Sequence, residues 1–170
     1  MSVTLGPVAG RPTEGTPFYS ISDHAFNFDL KEIPEGAGHQ GHVALLLNTL
    51  GIEVAIASSR CLYVSGYCPA MGWTMTRLAP PAASFGALSA SSESRLVSGT
   101  GMPVDSGPWI ERFDPSTGWF CSGREETEVS TVAVEFATDT QVVLHQGRLL
   151  EVWIRPMNWE ELARSIGDAR

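Results

Sequence analysis

Thr131-Val-Ala-Val-Glu-Phe136, followed by Gln141-Val-Val-Leu-His-Gln-Gly-Arg-Leu-Leu-Glu-Val-Trp-Ile-Arg155, decides the fold class of this chain. Valine, isoleucine and tryptophan suit a pleated, half-buried surface on which side chains alternate between faces. Gly147 can take the positive φ that a tight hairpin turn requires, and Pro156 stops the last strand. The block predicts antiparallel strands near 129–136, 141–145 and 148–154.

Outward from this block, Asp114-Pro-Ser-Thr-Gly118 predicts a turn, because proline presets φ at the second position and glycine accepts the strained close. Its flanks, 109–113 and 119–122, read as paired strands that would set Trp109 and Trp119 across from one another. On the other side, Asn158 is placed to cap a helix near 158–166, with Glu160 and Glu161 on its N-terminal dipole. Trp159, Leu162, Ala163 and Ile166 would share the face that docks on the sheet.

The N-terminal half is less regular. Glycines and prolines through residues 1–17 predict a flexible lead-in, leaving 18–170 as the globular domain. Phe26, Phe28 and Leu30 alternate with polar residues, a strand with one buried face. Val43-Ala-Leu-Leu-Leu-Asn-Thr-Leu50 lacks glycine, proline and most β-branched residues, and Gly51 stands at a C-cap position. A helix over 40–50 is favoured there, with a buried strand as the competing reading. Residues 52–57 and 61–65 predict a hairpin about Ser58-Ser59-Arg60. The Ala-, Ser- and Pro-rich stretch 71–94 reads as a surface loop or a weak helix at a seam, followed by a short strand at 95–98 and a loop over 99–107. Together these elements predict a β-rich α+β single domain with a curved, mainly antiparallel sheet and one or two flanking helices. Closure into a barrel is left open.

At 170 residues with 43% hydrophobic content, the chain has enough apolar material for one core. Its longest apolar run, Val43 to Leu47, is far short of a membrane span. No basic n-region precedes an apolar stretch at the N-terminus, which predicts a cytoplasmic protein. The net charge of −8 repels phosphate backbones and anionic lipids, so neither nucleic acid nor membrane is an expected partner, whereas a basic protein is. Ten arginines against the single Lys31 fit a GC-rich, bacterial composition. Three cysteines, an odd number, argue against a closed disulfide framework. A Cys61–Cys68 bridge is conceivable across a hairpin, but buried free thiols are the simpler expectation.

Chemistry-bearing residues are sparse. His39-Gln-Gly-His42 would present two imidazoles on one helical face, and a metal would need a third ligand from Asp23, His24 or Glu53. The expectation is no metal and no cofactor. Cys68, before Pro69, is the cysteine expected to be most exposed and is the candidate nucleophile. Glu125, Glu126 and Glu128 form an acidic lip suited to a basic partner. No G-x-S-x-G elbow or phosphate-cradling glycine loop is present. Two functional readings result. The leading one is an acidic, non-enzymatic module of the inhibitor or immunity type that masks or regulates a protein partner. The alternative is a small-molecule-binding, barrel-like isomerase or cyclase. Its pocket would be lined by Tyr63, Trp73, Trp109 and Trp119, with Asp23, His24 or Glu53 as acid or base.

Overall fold

A computed structural model describes residues 2–34, 37, 41–105, 107–125 and 130–169. Its strands, in chain order, are β1 (Val3–Val8), β2 (Gly15–Ser20), β3 (Ala25–Leu30), β4 (His42–Leu47), β5 (Leu50–Ala55), β6 (Arg60–Tyr67), β7 (Thr74–Met75) and β8 (Ser84–Phe85). They continue with β9 (Ala87–Ser92), β10 (Gly101–Pro103), β11 (Ile110–Phe113), β12 (Phe120–Gly123), β13 (Val132–Ala137), β14 (Thr140–His145) and β15 (Arg148–Ile154), and helix α1 (Trp159–Asp168) closes the chain. One sheet runs β1-β9-β6-β5-β4-β10, with β3 branching from the far end of β6 and pairing β2. The other runs β7-β11-β12-β15-β14-β13-β8. Pairing is antiparallel except at the short margins β10, β7 and β8. The sheets curl around one core as a half-barrel, the β-rich α+β architecture expected.

Alternation explains this core. Val43, Leu45 and Leu47 of β4 are fully buried, as are Ile52 and Val54 of β5. From the opposite sheet come Phe120, Val142, Val152 and Ile154. Trp73 fills the space between, 4.8 Å from the Phe120 ring, 5.7 Å from Phe26 and 5.5 Å from Phe113.

Several expectations need correction. Residues 40–50 form no helix: β4 and β5 make a hairpin around Asn48-Thr49, with Asn48 at φ 55. Asparagine tolerates the left-handed region better than most residues, so the chain reverses there without glycine. Gly51 is a strand residue whose missing Cβ would lie 3.2 Å from the Cβ of Ala44, not a helix cap. Within 1–17, β1 is a sheet strand with Val3 and Leu5 buried against the core, so this segment is no irregular lead-in. Its Leu5 N–H donates to the Gly147 carbonyl at 2.8 Å, fastening one sheet to the other. The 71–94 stretch contains no α-helix; β9 lies inside the first sheet, and its small Ala87 and Ala90 are buried. The strand expected at 95–98 falls instead at β10, within the expected loop.

The C-terminal block follows expectation from Val132 onward, Val129 lying outside the described residues. Gln146 (φ 49) and Gly147 (φ 81) form the two-residue turn between β14 and β15. Asp114 anchors the turn between β11 and β12 and also reaches sideways to accept from the Leu78 N–H at 2.9 Å. Trp109 and Trp119 do not pair across it. Register sets Ile110 against Gly123 and Phe113 against Phe120. Trp109 enters the main core, whereas Trp119 packs outside the second sheet against Trp153, 6.4 Å away.

Candidate functional site

A concavity with a mainly apolar lining lies where α1 crosses the β2–β3 end of the fold. Three distant segments build it: Tyr19, Ile21 and His24 from β2 and its turn, Ala70 and Met71 from the short turn after β6, and Leu162, Ser165, Ile166 and Ala169 from α1. The groove has a volume of about 340 Å³.

Local chemistry sets each wall. Residues 162, 165, 166 and 169 share one helical face. Leu162 is buried, and Ile166 packs on the core edge while still lining the groove. Asn158 fixes the helix angle by a route the sequence did not suggest: its side chain makes no capping bond. Its Oδ1 accepts from Tyr19 N–H at 2.9 Å and its Nδ2 donates to Tyr19 C=O at 2.8 Å, so one amide replaces a neighbouring strand along β2. The Tyr19 hydroxyl donates to the Cys68 carbonyl at 2.8 Å, and burial pushes its pKa up to about 12. A neutral, anchored wall results. His24 closes the turn at φ 53, its carbonyl accepting from Cys68 N–H at 2.7 Å. Met71 stands on the lip at 90% exposure, and Tyr67, edge-on to His24, extends the apolar rim.

Carboxylates flank the groove. Asp23, beside His24, is exposed and accepts from Ser20 Oγ at 2.6 Å. Glu161 and Asp168 are exposed at helical spacings four before and three after Ser165, along the same margin. Glu160 and Arg164 project from the far side of the helix.

The other sequence-nominated residues do not converge. Cys68 is fully buried, contrary to the exposure expected of it. Burial raises its thiol pKa, and the Glu111 carboxylate beside it adds to the rise. Cys61 and Cys121 are likewise free, buried and shifted upward by burial. A thiolate nucleophile needs the opposite environment. Glu53 lies on the outer face of the first sheet, accepting from Ser65 Oγ at 3.3 Å and opposite Tyr63 in the register. Burial, then Glu53, raises the Tyr63 pKa. The four aromatics proposed to share a pocket are dispersed: Trp73 and Trp109 in the main core, Trp119 in the outer cluster, Tyr63 stacked on Phe28 at 5.3 Å. His42 begins a strand rather than a helix, and His39 lies outside the described residues. Among the described residues no group of three His, Cys, Asp or Glu could hold a metal ion. Of the acidic lip, Glu125 is exposed, and Glu126 and Glu128 lie outside the described residues. No helix among the described residues is long and apolar enough to cross a membrane.

A sequence signal for the groove existed only in part: the amphipathic helix was legible, its companions were not. No protein-family model, curated protein or solved structure matches the chain, so the groove's own chemistry carries the functional reading.

Proposed function

We propose that the protein is a non-enzymatic binding module that masks or regulates a protein partner, and that the α1 groove receives an apolar anchor from a basic segment of that partner. The observation that carries this reading is an apolar groove with exposed Met71 on its lip, together with exposed carboxylates next to its lining residues: Asp23 adjoins His24, and Glu161 and Asp168 lie at helical spacing from Ser165. Apolar contact supplies affinity in such an arrangement, while the surrounding charge steers encounter and selects the partner's sign. Methionine suits the task, because its flexible thioether adapts to varied side chains. The net charge of −8 extends the same steering over the whole surface.

The isomerase or cyclase reading has less support. The interior it requires is filled by Trp73, Phe26, Phe113 and Phe120, and its candidate acid–base residues face different surfaces.

A synthetic amphipathic Leu/Lys helical peptide, titrated against the protein and followed by fluorescence anisotropy, tests the module. Saturable binding should weaken about tenfold in Ile166→Asp and in the double variant Glu161→Lys, Asp168→Lys, and should fall with added salt. Equal binding by all three proteins would remove the groove as the docking site.

A further inference from the structure

A second concavity of about 350 Å³ lies away from α1 and shares no lining residue with the groove. Its walls are Gly10 to Glu14 between β1 and β2, Glu32 to Pro34 after β3, and Arg60 at the start of β6. In a chain with a net charge of −8, two arginines meet in this cleft. Neither Arg11 nor Arg60 forms an ion pair among the described residues, where the pairs are Lys31–Glu14 and Arg124–Asp105.

The Arg60 head group is held in place. Its Nη2 donates to the Arg11 carbonyl, and the chain passes close by at Gly10, where an added Cβ would sit 3.9 Å from Nη1. Two buried side-chain atoms of the residues that wall this cleft, Arg60 Nε and the Thr13 hydroxyl, have no hydrogen-bond partner among the described residues, Thr13 itself being only 1% exposed. Buried donors in folded proteins are almost always paired, and the chemistry that would satisfy a guanidinium and a hydroxyl together is that of an oxyanion. A carboxylate matches the guanidinium fork geometrically. Of the acidic lining residues, Glu14 is paired with Lys31 at 3.0 Å, and Glu32, close enough to Lys31 to help raise its pKa, adds a negative charge that disfavours a dianion.

We infer that this cleft binds the carboxylate of a small molecule, with Arg11 and Arg60 as charged donors and Thr13 as a neutral one. Glu32 makes a singly charged carboxylate the favoured ligand over a phosphate dianion. This site is independent of the proposed partner groove, and either can fail alone.

The probes are propionate and inorganic phosphate, titrated at constant ionic strength and followed by amide chemical shifts. Propionate should produce saturable shifts confined to residues near 10–14, 32–34 and 60, and phosphate should bind several-fold more weakly. Arg11→Gln, an exposed substitution that leaves the fold intact, should weaken propionate binding about tenfold, the loss expected of one charge-assisted contact. Arg60→Gln should abolish saturation while the β14–β15 amides keep their positions. Shifts that rise linearly, spread across the surface or persist unchanged in Arg11→Gln would overturn the site. Phosphate binding as tight as propionate would overturn its assignment to a carboxylate.

Discussion

Two hairpins with two-residue turns, β4–β5 and β14–β15, do the same structural work from different sequences. The second announces itself, with β-branched residues on both strands and glycine at the turn. The first has a leading strand made mostly of leucine and alanine, good helix formers, and turns on Asn48-Thr49 without glycine. Its strand character comes from packing. Period-two burial places Val43, Leu45 and Leu47 in the core while Ala44 and Leu46 stay half-buried. Tertiary burial overrides intrinsic propensity at β4 and merely agrees with it at β14.

That contrast can be broken most sharply at Leu45 and Leu46. Leu45→Ala should cost about 3 kcal/mol in urea denaturation and Leu46→Ala well under half of that, because only Leu45 leaves a fully enclosed void. Comparable losses at both positions would contradict the alternation.

The turn between β11 and β12 adds a third case, in which a buried side chain holds the reversal. Burial by itself would raise the Asp114 pKa, but hydrogen bonds from the Ser116 hydroxyl, the Leu78 and Ser116 amides and the Thr117 side chain outweigh it and lower the pKa from 3.8 to about 2. A lowered folded-state pKa stabilises at pH values above the unfolded pKa of 3.8 and is lost as pH falls toward about 2. Between pH 5 and pH 2, wild type should lose about 2 kcal/mol more than Asp114→Asn, measured as the difference in unfolding free energy. Parallel acid curves for the two proteins would assign the anchoring elsewhere.

The smallest effects sharpen the turn comparison itself. Gly147→Ala places a Cβ at φ 81 and against Thr4 Cγ2, and should cost about 1 to 2 kcal/mol. Asn48→Gly should change stability by no more than a few tenths of a kcal/mol, since glycine accepts φ 55 freely and only a long bond, Asn48 Nδ2 donating to the Trp109 carbonyl at 3.5 Å, is lost. Chemical denaturation of both variants under one set of conditions checks that the larger loss falls at Gly147.

The legible parts of this molecule are those where local chemistry and tertiary placement agree. Gly147, the Asp114–Gly118 turn and the Leu162–Ile166 stripe each carry their own signal. Strand β9 was hidden because Ala and Ser have no strand preference, and it is ordered by neighbours on both sides. The groove was hidden for a different reason: its walls come from residues 19–24, 70–71 and 162–169. Their meeting depends on an asparagine that looks like a helix cap and bonds to Tyr19 instead. The Arg11–Arg60 cleft likewise joins positions 49 apart along the chain.

Asn158 has one more consequence. A strand at the margin of a sheet offers unpaired backbone to any passing chain, and that is how soluble proteins begin to polymerise. The Asn158 amide, together with the Met157 N–H donating to Pro17 C=O at 2.8 Å, occupies the β2 margin with the protein's own backbone and side chain. The C-terminal segment is thus a stopper as well as a wall. A chain ending at Pro156 would carry an open template along Pro17 and Tyr19, and its time-dependent light scattering would report strand-on-strand association before any loss of the core.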